Sequence, residues 1–345
     1  MSELVLVTGG SGFLGSRCIL QLLLRGYEVR TTIRSLSRRN EVISMLHKGG
    51  LDRECEHLDF LEADLLDDKN WSEAVRGCVY VLHIASPIFL HLPRSEDEMI
   101  RPAVEGTLRV LRAARDAGVH RVVMTSNFGA VGYSQKERTE LITEESWTDP
   151  TEKGLSVYNK SKVLAERAAW DFMRREGGNL ELSVTNPMGI FGPALSPVLS
   201  SGFGLLQGLI NGSMRALPDI RLGIVDVRDL ADLELRAMTL PQAAGERFLA
   251  LCGGTMSLIE IAELVRRERP AIAAKTSTRR FPTWLARLAA PLSPKLRGLL
   301  PMVGIYREAS NEKARTLLGW TPRSNEKAIL STVDSLAEFG NLQME

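Results

Sequence analysis

Apolar runs of strand length alternate with amphipathic stretches of helix length through the first half of the chain. Leu4–Thr8 is a short apolar run, and Phe13–Arg25 follows with helical spacing until Gly26 stops it. The pair recurs as Glu28–Ile33 with Glu41–Lys48, and as His57–Glu62 with Trp71–Arg76. It recurs again as Val79–Ile84 with Glu98–Ala117, and as Arg121–Thr125 with Val157–Glu176. Leu180–Asn186 reads as a sixth strand. Strands that alternate with helices in this way predict parallel crossovers and an α/β, doubly wound parallel sheet of the Rossmann type. From Pro187 to Arg221 the period is lost among prolines and glycines. A strand at Leu222–Val227, a helix after Asp229, a strand near Phe248 and further helices follow. This texture predicts a nucleotide-binding domain over 1–186, to which the strand and helix near 222–250 return. It predicts a smaller, mainly substrate-binding region over 187–345.

Composition narrows the function little. The 345 residues are 44% apolar and 25% charged, with a net charge of +1. Such a balance offers no reason to expect nucleic acid or a membrane surface as partner. The mostly apolar run Val79–Leu90 is broken by His83, Ser86 and Pro87 and is too short to cross a bilayer. MSELVLVTGG has no basic leader and enters a strand at once, so the expected location is the cytoplasm. Cys18, Cys55, Cys78 and Cys252 are far apart and form no CxxC pair, which predicts buried reduced thiols and no metal site.

The first chemical signal is VLVTGGSGFLGS. It places Thr8, Gly9, Gly12, Phe13, Leu14 and Gly15 in a turn between a strand and a helix. Glycines there allow a tight turn and close approach of the main chain to a pyrophosphate at the helix start. An NAD site carries an acid at the end of the second strand. This chain has Arg34 after Ile33, with Arg38 and Arg39 nearby. A guanidinium can pair with a 2′-phosphate, so the expected cofactor is NADP(H), with Arg34 as its contact and Arg38 and Arg39 as a solvated loop.

The second signal is VYNKSKVLAERAAW. Tyr158 and Lys162 are four apart at a helix start and share one face. A free tyrosine titrates near ~10. A neighbouring ammonium would lower that value and let Tyr158 act as general acid toward a carbonyl oxygen. Together with TGGSGFLG, ADLLD, HIASP, MTSNFGAVGY, NPMGIFGP, VRTTIR, VDVRDLA and KARTLLGWTPRS, this pair makes the chain resemble an extended short-chain dehydrogenase/reductase over about residues 3 to 325. Within that superfamily it is most similar to the dihydroflavonol 4-reductase and cinnamoyl-CoA reductase group. The resemblance implies that Asp64 and Leu65 flank an adenine, that Ala85 and Ser86 lie along the cofactor, and that Pro187 and Ile190 meet the nicotinamide. It also implies Lys162 on the cofactor ribose, a small-molecule carbonyl substrate and a homodimer through the long fourth helix, with Val104, Leu108 and Leu111.

One position departs from the family. Its members read Thr-Ser-Ser after the fifth strand, and the second serine donates to the substrate carbonyl. Here Ser126 fills the first slot and Asn127 the second. An amide also donates, so Asn127 is the expected oxyanion donor and Ser126 the lesser candidate. Two other readings compete with a carbonyl reductase. One is a nucleotide-sugar epimerase or dehydratase, which Arg34 disfavours. The other is a non-catalytic NADP-binding regulator, which the intact Tyr158–Lys162 pair disfavours. His83 reads as a packed or hydrogen-bonded histidine, and His47, His57, His91 and His120 lack a partner motif. Asp226 and Asp229 read as helix bracing, and Arg94, Arg101 and Arg109 as solvated. Phe89, Phe128, Met188, Phe203 and Leu206 divide evenly between core and pocket.

Overall fold

The structure, a computed structural model, describes residues 2–52, 54–87, 95–134, 141–197, 202–289 and 299–342. Phe89, His91 and Arg94 lie outside the described residues. A seven-stranded sheet carries the fold, in the order β10-β6-β5-β4-β1-β2-β3. Its strands are β1 (Leu4–Thr8), β2 (Glu28–Ile33), β3 (Leu58–Glu62), β4 (Tyr80–His83), β5 (Arg121–Thr125), β6 (Glu181–Pro187) and β10 (Arg247–Ala250), all paired in parallel. The helices between them are α1 (Phe13–Leu24), α2 (Arg39–Lys48), α3 (Trp71–Val75), α4 (Asp97–Asp116) and α5 (Val157–Glu176). The doubly wound expectation holds, and most predicted boundaries fall within two residues.

The two sheet faces are covered by different helices, because both sides of each central strand are apolar. Leu6, Val81, Val122 and Val184 bury toward one core, joined by Leu111 of α4 and Phe172 of α5. Val5, Val7, Leu82 and Val123 bury toward the other, joined by Leu22 of α1 and Leu230 of α7 (Val227–Thr239). The expected α4 pairing face is therefore partly spent: Leu111 is fully buried inside the chain.

Not every strand near 222–250 joins the main sheet. The segment expected at Leu222–Val227 is β9 (Arg221–Asp226), and it lies outside the main sheet. It pairs with β7 (Gly189–Phe191) and, antiparallel, with β11 (Thr255–Ser257) in a three-stranded sheet. The free edge of β6 is instead taken by β10, whose four residues are all buried. A short ladder joins β8 (Leu217–Pro218) to β12 (Arg280–Phe281). Around the smaller sheet, α6 (Phe203–Ile210), α8 (Leu258–Glu268) and the helix Asn325–Glu338 form a second core. The helix Glu312–Leu318 instead sends Ala314 and Leu318, with Trp320, into the core under α1 and α7, hereafter the first core.

Candidate active site

Strand order reverses between β1 and β4, so the carboxyl ends of these strands open a crevice there, where doubly wound sheets take their ligands. Each element that reaches the crevice has a local reason to end where it does. The turn after β1 is built from main-chain bonds: Gly9 N and Gly10 N donate to Thr32 O at 3.1 and 3.3 Å, and Gly12 N to Gly9 O at 2.9 Å. Gly9 has φ +74°, and Ala85 lies against its open face. A Cβ on Gly15 would stand 2.3 Å from Gly9 O, and one on Gly10 would stand 2.1 Å from Thr31 Oγ1. Gly10 is thus as constrained as the motif glycines, although the spacing did not single it out.

Helix α1 begins at Gly12 without a side-chain cap. Its first N–H groups point along the axis and suit an anion. Phe13 and Leu14 spend their side chains on apolar packing instead. The Leu14 side chain is buried in the first core, and the Phe13 ring meets Phe203 edge-on at 5.1 Å. Thr8 is corrected in the same sense. Its buried hydroxyl accepts from Ile84 N at 3.0 Å and Ala85 N at 2.9 Å, and bonds His83 Nδ1 at 3.1 Å. It fastens the β4 loop and has no capacity left for a ligand. His83 is the hydrogen-bonded histidine that was expected; burial and nearby Lys162 push it down to about 3, so it is neutral.

The turn after β3 is held by residues the motifs did not show. Trp71 Nε1 donates to Asp64 O at 3.1 Å and Asp67 O at 3.0 Å, while Asp64 Oδ1 accepts from Leu66 N at 3.0 Å. Leu65 is buried against Gly106 of α4. Arg109, expected in solvent, bonds the Leu65 carbonyl and pairs with Asp68. The basic residues after β2 separate clearly. Arg38 pairs with Glu41 at 2.8 Å and Arg39 lies 5.2 Å over the Phe60 ring, so neither is simply solvated. Arg34 is exposed and has no side-chain partner among the described residues. Uncapped helix start, glycine cradle and an unpaired guanidinium together fit a dinucleotide that carries a further phosphate.

Ser156 caps α5 by accepting from Asn159 N at 3.2 Å, which places Tyr158 and Lys162 in the first two turns. Lys162 is buried and donates to Ser86 Oγ at 2.9 Å, so the ends of β4 and α5 meet at the crevice. Its Nζ stands 5.8 Å from the Tyr158 ring centroid. Burial lowers Lys162 to about 8, with Glu166 opposing. The expectation that the ammonium lowers Tyr158 is corrected: burial pushes the phenol upward. The ammonium is turned to Ser86 rather than to the hydroxyl. Tyr158 keeps 47% of its surface exposed, so solvent limits that upward push.

Beyond β5, the two candidates part company. Ser126 is buried and donates to Glu166 Oε2 at 2.5 Å. Asn127 is extended (φ −163°, ψ 151°) and its Oδ1 accepts from Gly129 N at 2.6 Å, capping the turn Phe128–Ala130. Its Nδ2 is the group left to donate outward. Pro187 is buried at the end of β6 and Ile190 is half-buried on β7. Phe128, Phe203 and Leu206 are core residues, and half-buried Met188 packs beside Phe128. Asp226 caps α7 and pairs with Arg228, and Asp229 pairs with Arg323, both as braces. Cys18 and Cys78 are buried, Cys55 and Cys252 only partly, and none of the four is in a disulfide. No acidic, His or Cys cluster that could hold a metal occurs among the described residues, and no described helix is long and apolar enough to cross a membrane.

Comparison with known proteins agrees with this geometry. The sequence model of the 3-beta hydroxysteroid dehydrogenase/isomerase family matches residues 6–203. Cinnamoyl-CoA reductase CAD2 of Medicago truncatula is 34% identical over 99% of this chain and 98% of its own length. Dihydroflavonol 4-reductase of Zea mays is 34% identical over 70% of this chain and 68% of its own length. The crystal structure of yeast methylglyoxal/isovaleraldehyde reductase Gre2 complexed with NADPH superposes with a TM-score of 0.79 at 22% identity, covering 98% of this chain and 99% of that one. The chain belongs to the 3-beta hydroxysteroid dehydrogenase/isomerase family of extended short-chain dehydrogenases/reductases, as an oxidoreductase of the dihydroflavonol 4-reductase and cinnamoyl-CoA reductase group.

Proposed function

We propose that this oxidoreductase is a carbonyl reductase that converts an aldehyde or ketone to the alcohol. Its cofactor is NADP(H). The observation that carries the reading is the junction of Lys162 with Ser86 at the strand-order reversal, beside an uncapped α1 and one turn from Tyr158. The glycine cradle and α1 N–H groups would hold the pyrophosphate, and Arg34 the 2′-phosphate. A nicotinamide held there would supply the hydride that the carbonyl carbon takes up. Asn127 Nδ2 donates to the carbonyl oxygen as charge builds there. Tyr158 gives its proton to that oxygen, which completes the alcohol. Lys162, 5.8 Å from the ring that is left as phenolate, would turn from Ser86 toward it and toward the ribose once the cofactor is in place. Lys162 at about 8 is mostly charged at neutral pH, so it can stabilise that phenolate.

The test mixes the protein, NADPH and a panel of small aromatic and aliphatic carbonyls and follows the reduced nicotinamide band. Turnover is expected, and Tyr158→Phe should lower kcat by about 10²–10⁴ with KM for NADPH little changed. Tight NADPH binding with no turnover on any carbonyl would favour a regulatory protein instead. A homodimer through α4 would have to use the half-buried Val104 and Leu108, because Leu111 is enclosed; sedimentation velocity decides between one chain and two.

A further inference from the structure

Beneath the β5 loop lies a cluster of buried polar side chains that neither the cofactor cradle nor the Tyr158–Lys162 pair accounts for. Glu166 sits one turn after Lys162 on α5 and is fully buried. Its Oε2 accepts from Ser126 Oγ at 2.5 Å and from Asn186 Nδ2 at 2.7 Å. Its Oε1 faces Arg247 Nε at 2.6 Å and takes a longer bond, 3.4 Å, from Trp170 Nε1. Arg247 belongs to β10. Its guanidinium is stacked 3.7 Å over the Trp147 ring and donates to the Glu144 and Ser146 carbonyls. Asn186 on β6 also donates to the Asn127 carbonyl at 3.3 Å. One carboxylate thus ties α5, β5, β6 and β10 together.

Stability alone does not call for this arrangement. A buried ion pair is costly to desolvate, and apolar side chains of the same volume would join these elements at least as well. What the cluster supplies is direction. Neighbouring side chains on extended chain leave on opposite sides. Holding the Ser126 hydroxyl inward commits Asn127 to the other side, where its Oδ1 is capped and its Nδ2 can donate. We propose that Glu166 is a positioning residue of the reductase site: it holds Ser126 inside the fold and, through Asn186, fixes the main chain from which Asn127 presents its amide. The inference rests on the reading of Asn127 as the carbonyl donor.

Two readouts on the full chain test it. The first is backbone hydrogen exchange without cofactor or substrate. Glu166→Gln should exchange about 10-fold faster than wild type over 126–131, with 8–24 unchanged, as local loosening requires. Wild-type exchange at 126–131, or equal acceleration in both segments, overturns the positioning role whatever the activity. The second is a double-mutant cycle with NADPH and a carbonyl. Glu166→Gln should lower kcat about 10-fold, since small misplacements of a catalytic group cost that much or more. In an Asn127→Ala background the same change should have less than about a 2-fold effect, because the two act as one unit. Effects that multiply refute the link. A wild type that reduces no carbonyl defeats the reaction assignment separately, and the exchange result alone then decides Glu166. If Glu166→Gln does not fold, Asn186→Ser cuts the same link and carries both readouts.

Discussion

A second buried carboxylate, Glu234 on α7, should make the protein less stable as pH rises through neutrality. Its Oε1 accepts from the hydroxyls of Thr125 and Thr185, each at 2.6 Å. Its Oε2 is buried with no partner among the described residues. Burial raises the group from 4.5 to about 7, against the lowering effect of the two threonines. In the unfolded chain Glu234 gives up its proton near 4.5, while the folded chain keeps it to about 7. Stability is therefore fully present below 4.5, falls across the window from 4.5 to about 7, and stays reduced above it. A change from 4.5 to about 7 corresponds to about 3.5 kcal/mol in full, at about 1.4 kcal/mol per pH unit. Glu234→Gln keeps an acceptor for both threonines and removes the titration. Urea unfolding of both proteins at pH 4.5, 6 and 8 isolates the residue, since all other titrating groups are shared. Wild type should lose about 3 kcal/mol more than the variant between the extremes. Parallel curves would refute the argument and mean that Glu234 is ionised and solvated in the folded state.

Other variants probe the cradle and the donor. Gly15→Ala puts a methyl 2.3 Å from Gly9 O, so the turn must shift, and fluorescence titration should show NADPH binding weakened far more than the melting temperature. Arg34→Ala removes a guanidinium that has no side-chain partner among the described residues, and the preference for NADPH over NADH should fall about 10–100-fold, the worth of one charge-assisted contact; an unchanged ratio of kcat/KM values defeats the assignment. Asn127→Ala should lower kcat by about 10²–10³ and Asn127→Ser should restore much of it, whereas full activity in the alanine variant excludes Asn127 as the donor.

The pattern of the chain was enough for the α/β sheet and for the bounds of β2, β5 and α5, because the strands are short, largely apolar runs and α5 buries residues at helical spacing. The cradle was legible too, since the motif glycines answer to local geometry: a positive φ at Gly9 and a Cβ clash at Gly15. The pair Tyr158 and Lys162 was legible because four residues make one helical turn. Partners distant along the chain left no such trace. Nothing near Arg247 in sequence signals a carboxylate 81 residues earlier, and the sheet-edge pairing of β10 with β6 brings it there. Thr8 matched a motif yet serves the β4 loop, because parallel pairing sets its hydroxyl beside the amides of residues 84 and 85. Arg109 looked like a surface charge until the turn after β3 came within its reach.

Local periodicity and steric rules depend only on residues a few positions apart, so the sequence by itself determined the strand and helix succession, the glycine turn after β1 and the Tyr158–Lys162 face. Which side chains lie inward at the end of β5, what charge Lys162 carries, and how Asn127 differs from Ser126 depend on burial and on groups from α5, β6 and β10. Only the tertiary structure brings those groups within hydrogen-bonding distance, and so only it decided them.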